Sequence, residues 1–192
     1  MPGFQSSDFD PEEKGLAIKK SLNEKGLKVI ISDYGKRSPM RESIVAYVEQ
    51  VKKEIKEVKP EIIIAHSLGG FLAREILESA QENLGVKILI MLETPHNGVP
   101  LKLILWLGYP DWPVIREIAP DSQFIQSLNQ NWRLRLKSMK TRYFQIGGGW
   151  TIQYPEIFRL EDVKMITFQG LDHSSLRTDP RVIQKIIEIL SS

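Results

Sequence analysis

The sequence has no cysteine, which excludes disulfide pairing and thiolate chemistry and leaves the redox compartment open. Histidine is scarce as well: there are three, and no metal-ligand spacing surrounds them, so neither a metal nor a cofactor is implied. An excess of charge of one sign is also missing. The 26 basic and 24 acidic residues leave a formal charge of +2 and a pI of about 8.7. These charges are interspersed, with no basic stripe carrying interleaved aromatics, so nucleic acid is not an expected partner. Outside the strand-like segments the longest apolar run, residues 101–107, falls far short of the roughly 20 residues a membrane span requires. The first residues lack the basic-then-apolar pattern of an export signal. A soluble, cytoplasmic chain is the expectation. What the sequence does have is 42% hydrophobic residues over 192 positions, enough for one domain with a substantial core. Its many Lys and Glu lean weakly toward heat adaptation.

The most informative stretch is residues 61–74. Ile62, Ile63, Ile64 and Ala65 form an apolar run of strand length that stops at His66-Ser67, and a helix-forming segment with alternating apolar and charged residues begins at once. Strand, sharp turn and helix follow in succession. A serine on such a turn presents its hydroxyl above the sheet edge, beside the N–H groups and the positive end of the next helix. The surrounding chain alternates in the same way. Pro11 sits at a helix start and Gly26 at its end, and residues 27–32 read as a short strand. Ser38-Pro39 marks a second helix start, after which Ile44, Val48, Val51, Ile55 and Val58 share one face. A helix is expected over 68–83, strands over 86–92, 141–146 and 163–168, and helices around Phe124 to Leu136 and after Asp179-Pro180, the last burying Val182, Ile183, Ile186, Ile187 and Leu190. Strands alternating with helices imply a parallel sheet. Gly147-Gly148-Gly149 is expected to break its strand. Residues 93–120, with five prolines and many Leu, Ile and Trp, show no clean strand period. They read either as a lid or binding wall (residues 99–120) or as ordinary core helix.

Ala65-His66-Ser67-Leu68-Gly69-Gly70 resembles the nucleophile elbow of the α/β-hydrolase superfamily, in particular its lipases and esterases, with Ala65 in place of the usual first glycine. Two further stretches are similar to lipase signatures and occur in family order: Thr94-Pro95-His96-Asn97-Gly98, and Asp172-His173-Ser174-Ser175-Leu176 followed by Pro180. The resemblance implies a compact α/β-hydrolase with a mostly parallel sheet flanked by helices. It also implies hydrolysis of a small-molecule carboxylic ester, lipid-like in preference, through an acyl-enzyme. Ser67 would attack and His173 would shuttle the proton; His96 would be structural. His66, next to Ser67 on the strand, projects to the other side. The oxyanion would be held by the backbone N–H of Leu68 and, through the Pro2-Gly3-Phe4 loop, that of Phe4. Trp106, Tyr109 and Trp112 would line an acyl-binding wall.

Two departures from the family pattern bear on function. The slot that carries the acid in small lipases holds Thr151, which cannot bear a carboxylate's charge. Glu93 is the preferred replacement, since some lipases of the pancreatic type carry their acid at the end of the strand after the elbow; Glu156, Asp162 or a Ser-His dyad are the alternatives. The strand that normally precedes the oxyanion loop also has no counterpart, because the sequence starts at the loop. A closed-up sheet, an edge supplied by another molecule and missing residues remain open as explanations. Two rival functions follow: a non-catalytic hydrolase-fold module binding an apolar ligand or partner, and an acyltransferase or thioesterase.

Overall fold

The computed structural model describes residues 11–32, 42–100, 102, 112–136, 141–149 and 163–192. In chain order these form α1 (Pro11–Glu24), α2 (Ile44–Val58), β1 (Ile62–His66), α3 (Leu68–Ser79), β2 (Ile88–Leu92), α4 (Pro113–Glu117), α5 (Gln123–Leu136), β3 (Arg142–Gly149), β4 (Val163–Leu171), a 3-10 turn (Ser175–Arg177) and α6 (Pro180–Leu190). The four strands pair in sequence order, β1-β2-β3-β4, and every pair is parallel. Parallel strands need crossovers, and α3 supplies the first of them, between β1 and β2. The strand-helix alternation read from the sequence is therefore a parallel sheet flanked by helices.

Period-two alternation divides the core. Ile62, Ile64, Ile88, Ile90, Leu92, Phe144 and Ile146 face one side, where Ile18 and Leu22 of α1 and Val182, Ile183, Ile186 and Ile189 of α6 cover them. Ile63, Ala65, Leu89, Met91 and Tyr143 face the other and meet Ala73 and Leu77 of α3. A third cluster builds outward from α3, with Phe71 and Leu72 against Ile44 and Tyr47 of α2, Val114 and Ile115 of α4, and Ile125 and Leu128 of α5. β2 is buried along its whole length, as a central parallel strand must be.

Several expectations are corrected. Helix α2 is capped by Ser43, whose side chain accepts from the Ala46 N–H at 3.3 Å; Ser38-Pro39 lies outside the described residues. Helix α3 stops at Ser79, short of 83. Residues 27–32 keep a strand's outward and inward alternation, and Leu27 and Val29 pack on the α1/α6 side of the core. They form no strand, because among the described residues no neighbour pairs with them, and β1 stands at the sheet edge. The glycine triplet does not interrupt β3, which runs through it with a register irregularity between Gly147 and Gly149. Gly148 is required for packing: a Cβ there would lie 2.0 Å from the Leu171 carbonyl oxygen. In α6 the fully buried face includes Ile189, while Ile187 and Leu190 pack at its margin.

Residues 112–120 belong to the core. Val114 and Ile115 are fully buried, Ile118 and Ala119 nearly so, and the Ile44 N–H donates to the Glu117 carboxylate at 2.5 Å. Residues 101 and 103–111, with Trp106 and Tyr109, lie outside the described residues.

Candidate active site

Sheet register brings the motifs to one rim. His66, Leu92 and Ile146 stand level across β1, β2 and β3. The next residues are tied in turn: the Ser67 N–H donates to the Leu92 carbonyl at 2.9 Å, and the Glu93 N–H to the Ile146 carbonyl at 2.8 Å. Ser67 and Glu93 therefore leave the carboxyl ends of adjacent parallel strands, where open α/β sheets hold their ligands. The close contact of Gly148 with Leu171 draws in the end of β4, and His173 follows two residues later.

Ser67 has φ 53° and ψ −119°, a conformation costly for a residue with a Cβ. The surroundings hold it there. Its carbonyl accepts from the Gly70 N–H at 3.0 Å and from the Thr94 hydroxyl at 3.2 Å. Thr94 is fully buried and fits because residue 70 is glycine: a Cβ at that position would lie 1.9 Å from the threonine oxygen. The Ser67 side chain makes no capping bond to α3. Leu68 opens α3, so its N–H has no partner within the helix and projects from the positive end of the helix dipole.

Glu93 is a second non-glycine residue at positive φ, 47°, and is 1% exposed. Its carboxylate accepts from the Gly148 N–H at 2.6 Å. Burial raises its pKa, and the Gly148 bond works against that rise. His173 is partly buried. Desolvation lowers its pKa, Arg177 lowers it further, and Asp172 acts in the opposite direction. The imidazole is thus biased toward its neutral, proton-accepting form. Asp172 is committed elsewhere, since one carboxylate oxygen accepts from the N–H groups of Ser174 and Ser175, both at 2.8 Å, and from the Ser175 hydroxyl at 2.9 Å. It shapes the turn that carries His173.

Among the described residues no direct hydrogen bond joins His173 to Ser67 or to Glu93. The link seen is through His66: its Nε2 hydrogen-bonds the His173 carbonyl at 2.8 Å, and the two rings lie 4.5 Å apart between centroids. Sequence reasoning set His66 aside because it points away from Ser67, and strand alternation does send it to the α1/α6 side. That side is the one the His173 turn crosses, a long-range placement that no local pattern discloses.

His96 is wholly buried. Arg74 donates to its Nδ1 at 3.1 Å, its Nε2 pairs with the Gln145 side-chain oxygen at 2.9 Å, and its carbonyl accepts from Asn129 at 2.8 Å. Burial, followed by the Arg74 charge, depresses its pKa well below the ordinary histidine value. Arg74, also wholly buried, is paired with Glu78 at 2.8 Å. Trp112 precedes α4 and, like Leu68, packs at the margin of the third cluster. Phe4, Glu156 and Asp162 lie outside the described residues. Among the described residues no group of three or more His, Asp or Glu side chains gathers to hold a metal, and no helix is long and apolar enough to cross a membrane.

Residues 24–190 match the PGAP1-like alpha/beta domain. The chain belongs to that family. The zebrafish (Danio rerio) Protein SERAC1 is 25% identical over 134 residues, which span 60% of this chain and 20% of that protein, so the chain corresponds to one fifth of the curated relative it matches. Among solved structures, the mature lipase BlEst2 of Bacillus licheniformis aligns with a TM-score of 0.63 at 16% identity, covering 78% of this chain and 75% of that one. A lipase-esterase related protein from Clostridium acetobutylicum aligns with a TM-score of 0.51 at 14% identity, covering 93% and 88%. The PGAP1-like chain thus has the α/β-hydrolase fold in its lipase and esterase-like form.

Proposed function

We propose that the protein is a serine hydrolase that cleaves carboxylic esters by way of an acyl-enzyme. The observation that carries this reading is Ser67 itself: a strained residue between strand and helix, held by Leu92, Gly70 and Thr94, with its hydroxyl left out of the helix cap. Strain of this kind persists where the surroundings over-determine it, and it concentrates at reactive groups. In the proposed reaction His173 takes the Ser67 proton as the oxygen attacks the acyl carbon. The Leu68 N–H, with that of Phe4, stabilises the oxyanion. Collapse of the tetrahedral intermediate breaks the ester C–O bond, and His173 returns the proton to the departing alcohol. Water, deprotonated by the same imidazole, then releases the acid and restores Ser67. Glu93 orients the base; its burial at the end of β2, between the elbow and the close β3–β4 contact, supports that role. A lipid-like acyl group is favoured because Leu68 and Trp112 margin one apolar cluster.

A second reading, a non-catalytic module that binds an apolar ligand or partner, is favoured by the lack of a direct Ser67–His173 bond among the described residues. Catalytic hydrogen bonds commonly tighten only when substrate is present. Turnover of p-nitrophenyl esters of graded chain length, measured alongside Ser67→Ala, separates the two. The hydrolase reading expects a loss on the order of 10⁴-fold or more in kcat; equal rates for the two proteins would remove it.

A further inference from the structure

We propose that His66 is a positioning residue for the base: it fixes the turn that carries His173 against the strand that carries Ser67. The inference rests on the hydrolase reading above. Along β1, Ile62 and Ile64 join the core under α1 and α6 while Ile63 and Ala65 face α3, and the same alternation sends His66 to the α1/α6 side. Ser67 departs from strand geometry at the following residue. One dipeptide at the rim therefore serves two purposes, with the serine at the bend and the histidine beside the incoming turn.

That turn is shaped by its own bonds. Asp172 accepts from Ser174 and Ser175, and the N–H groups of Arg177, Thr178 and Asp179 return to the carbonyls of Ser174 and Ser175. Such bonds define its form but do not set where it stands relative to β1. Leu171 and Leu176 bury the ends of the segment in the α1/α6 core, and the bond between His66 and the His173 carbonyl, 107 positions apart, ties its middle to β1, with the two rings 4.5 Å apart between centroids. A carbonyl only accepts, so His66 Nε2 carries the proton in this pair.

The placement of a reacting group to within about 1 Å is worth roughly 100-fold in rate. His66→Leu removes the donor and keeps an apolar side chain of moderate size. We expect kcat for a p-nitrophenyl ester to fall by roughly 10- to 100-fold with KM within about twofold. His66→Gln retains a terminal N–H₂ donor and should recover most of the loss. Amide hydrogen exchange of residues 172–178 supplies a readout that does not depend on activity, being faster in His66→Leu than in the wild type and slowed again in His66→Gln. A leucine variant that keeps wild-type kcat, equal losses in both variants, or unchanged exchange in the turn would overturn the inference while leaving the hydrolase reading intact. If the wild-type protein turns over no faster than Ser67→Ala, both fall, and that outcome is distinct from the others because the wild-type rate itself is missing.

Discussion

His96 and His173 both stand in lipase-like motifs at the same rim of one sheet, and they differ in almost every physical respect. His96 has no exposure and both of its ring nitrogens are engaged, by Arg74 and by Gln145, while its carbonyl holds Asn129. Its neighbours form a sealed polar network, including an Arg74–Glu78 pair with side chains 0% and 1% exposed. His173 is only partly buried, on a turn whose other bonds are short-range, and it meets the sheet through its backbone carbonyl. A ring whose two nitrogens are both satisfied in the dry interior is a structural strut. A ring held by its main chain, with desolvation and a nearby guanidinium favouring the neutral form, is equipped to accept a proton.

Exchanging the two residues for alanine tests that contrast most severely. His173→Ala should reduce ester turnover by about 10⁴-fold or more while changing folding stability by about 1 kcal/mol or less. His96→Ala should behave in the opposite sense, costing about 3 kcal/mol in chemical denaturation because Gln145 and Arg74 lose buried partners. If the denaturation midpoints ranked the other way, the division of roles would be wrong.

The acid comes next in size. Glu93→Gln should lower kcat by about 10²- to 10⁴-fold, well beyond Glu156→Gln or Asp162→Asn. Its effect on stability should have a definite pH dependence. Burial raises the folded pKa of Glu93, so the native state binds this proton more tightly than the unfolded chain does. The carboxyl therefore costs stability as pH rises from the ordinary glutamate value through the raised one. The glutamine variant should gain on the wild type across that window in parallel melts, and a constant offset would refute the assignment of burial as the cause.

The smallest effect concerns Arg177, whose Nε is buried without a hydrogen-bond partner among the described residues, in the half-buried 3-10 turn after His173. Its positive charge disfavours protonation of His173. Arg177→Gln should raise the His173 pKa and shift the acidic limb of the kcat/KM profile to higher pH, so that activity is lost earlier on acidification. A profile that does not move, or moves toward lower pH, would show that the guanidinium does not act on the base.

The fold could be read from residues wherever local chemistry and tertiary demand agree. Ile62 to Ala65, Ile88 to Leu92 and the Asp179-Pro180 start of α6 are such places, each a strong period or cap that the packing simply uses. Reading failed where the deciding partner is distant in sequence. Residues 27–32 have strand composition but no pairing neighbour among the described residues. Gly148 looks like a breaker until the Leu171 carbonyl is seen pressed against it. The chemistry proposed at the rim rests on Ser67 and His173 because those residue types sit in recognisable contexts. The tie through His66 and the Thr94 bond to the Ser67 carbonyl were not visible, since both join residues distant in sequence that only the sheet brings together.

Parallel pairing also has a consequence for the far end of the sheet. Because Ser67, Glu93 and His173 gather where the strands finish, the ends where they begin carry none of the proposed chemistry; there Glu61 and Lys87 form an exposed ion pair at 2.9 Å. Exposed pairs of this sort contribute little to folding. That rim is accordingly the place to graft a tag, a fluorophore or a surface anchor, with the length of the strands as insulation for whatever happens opposite.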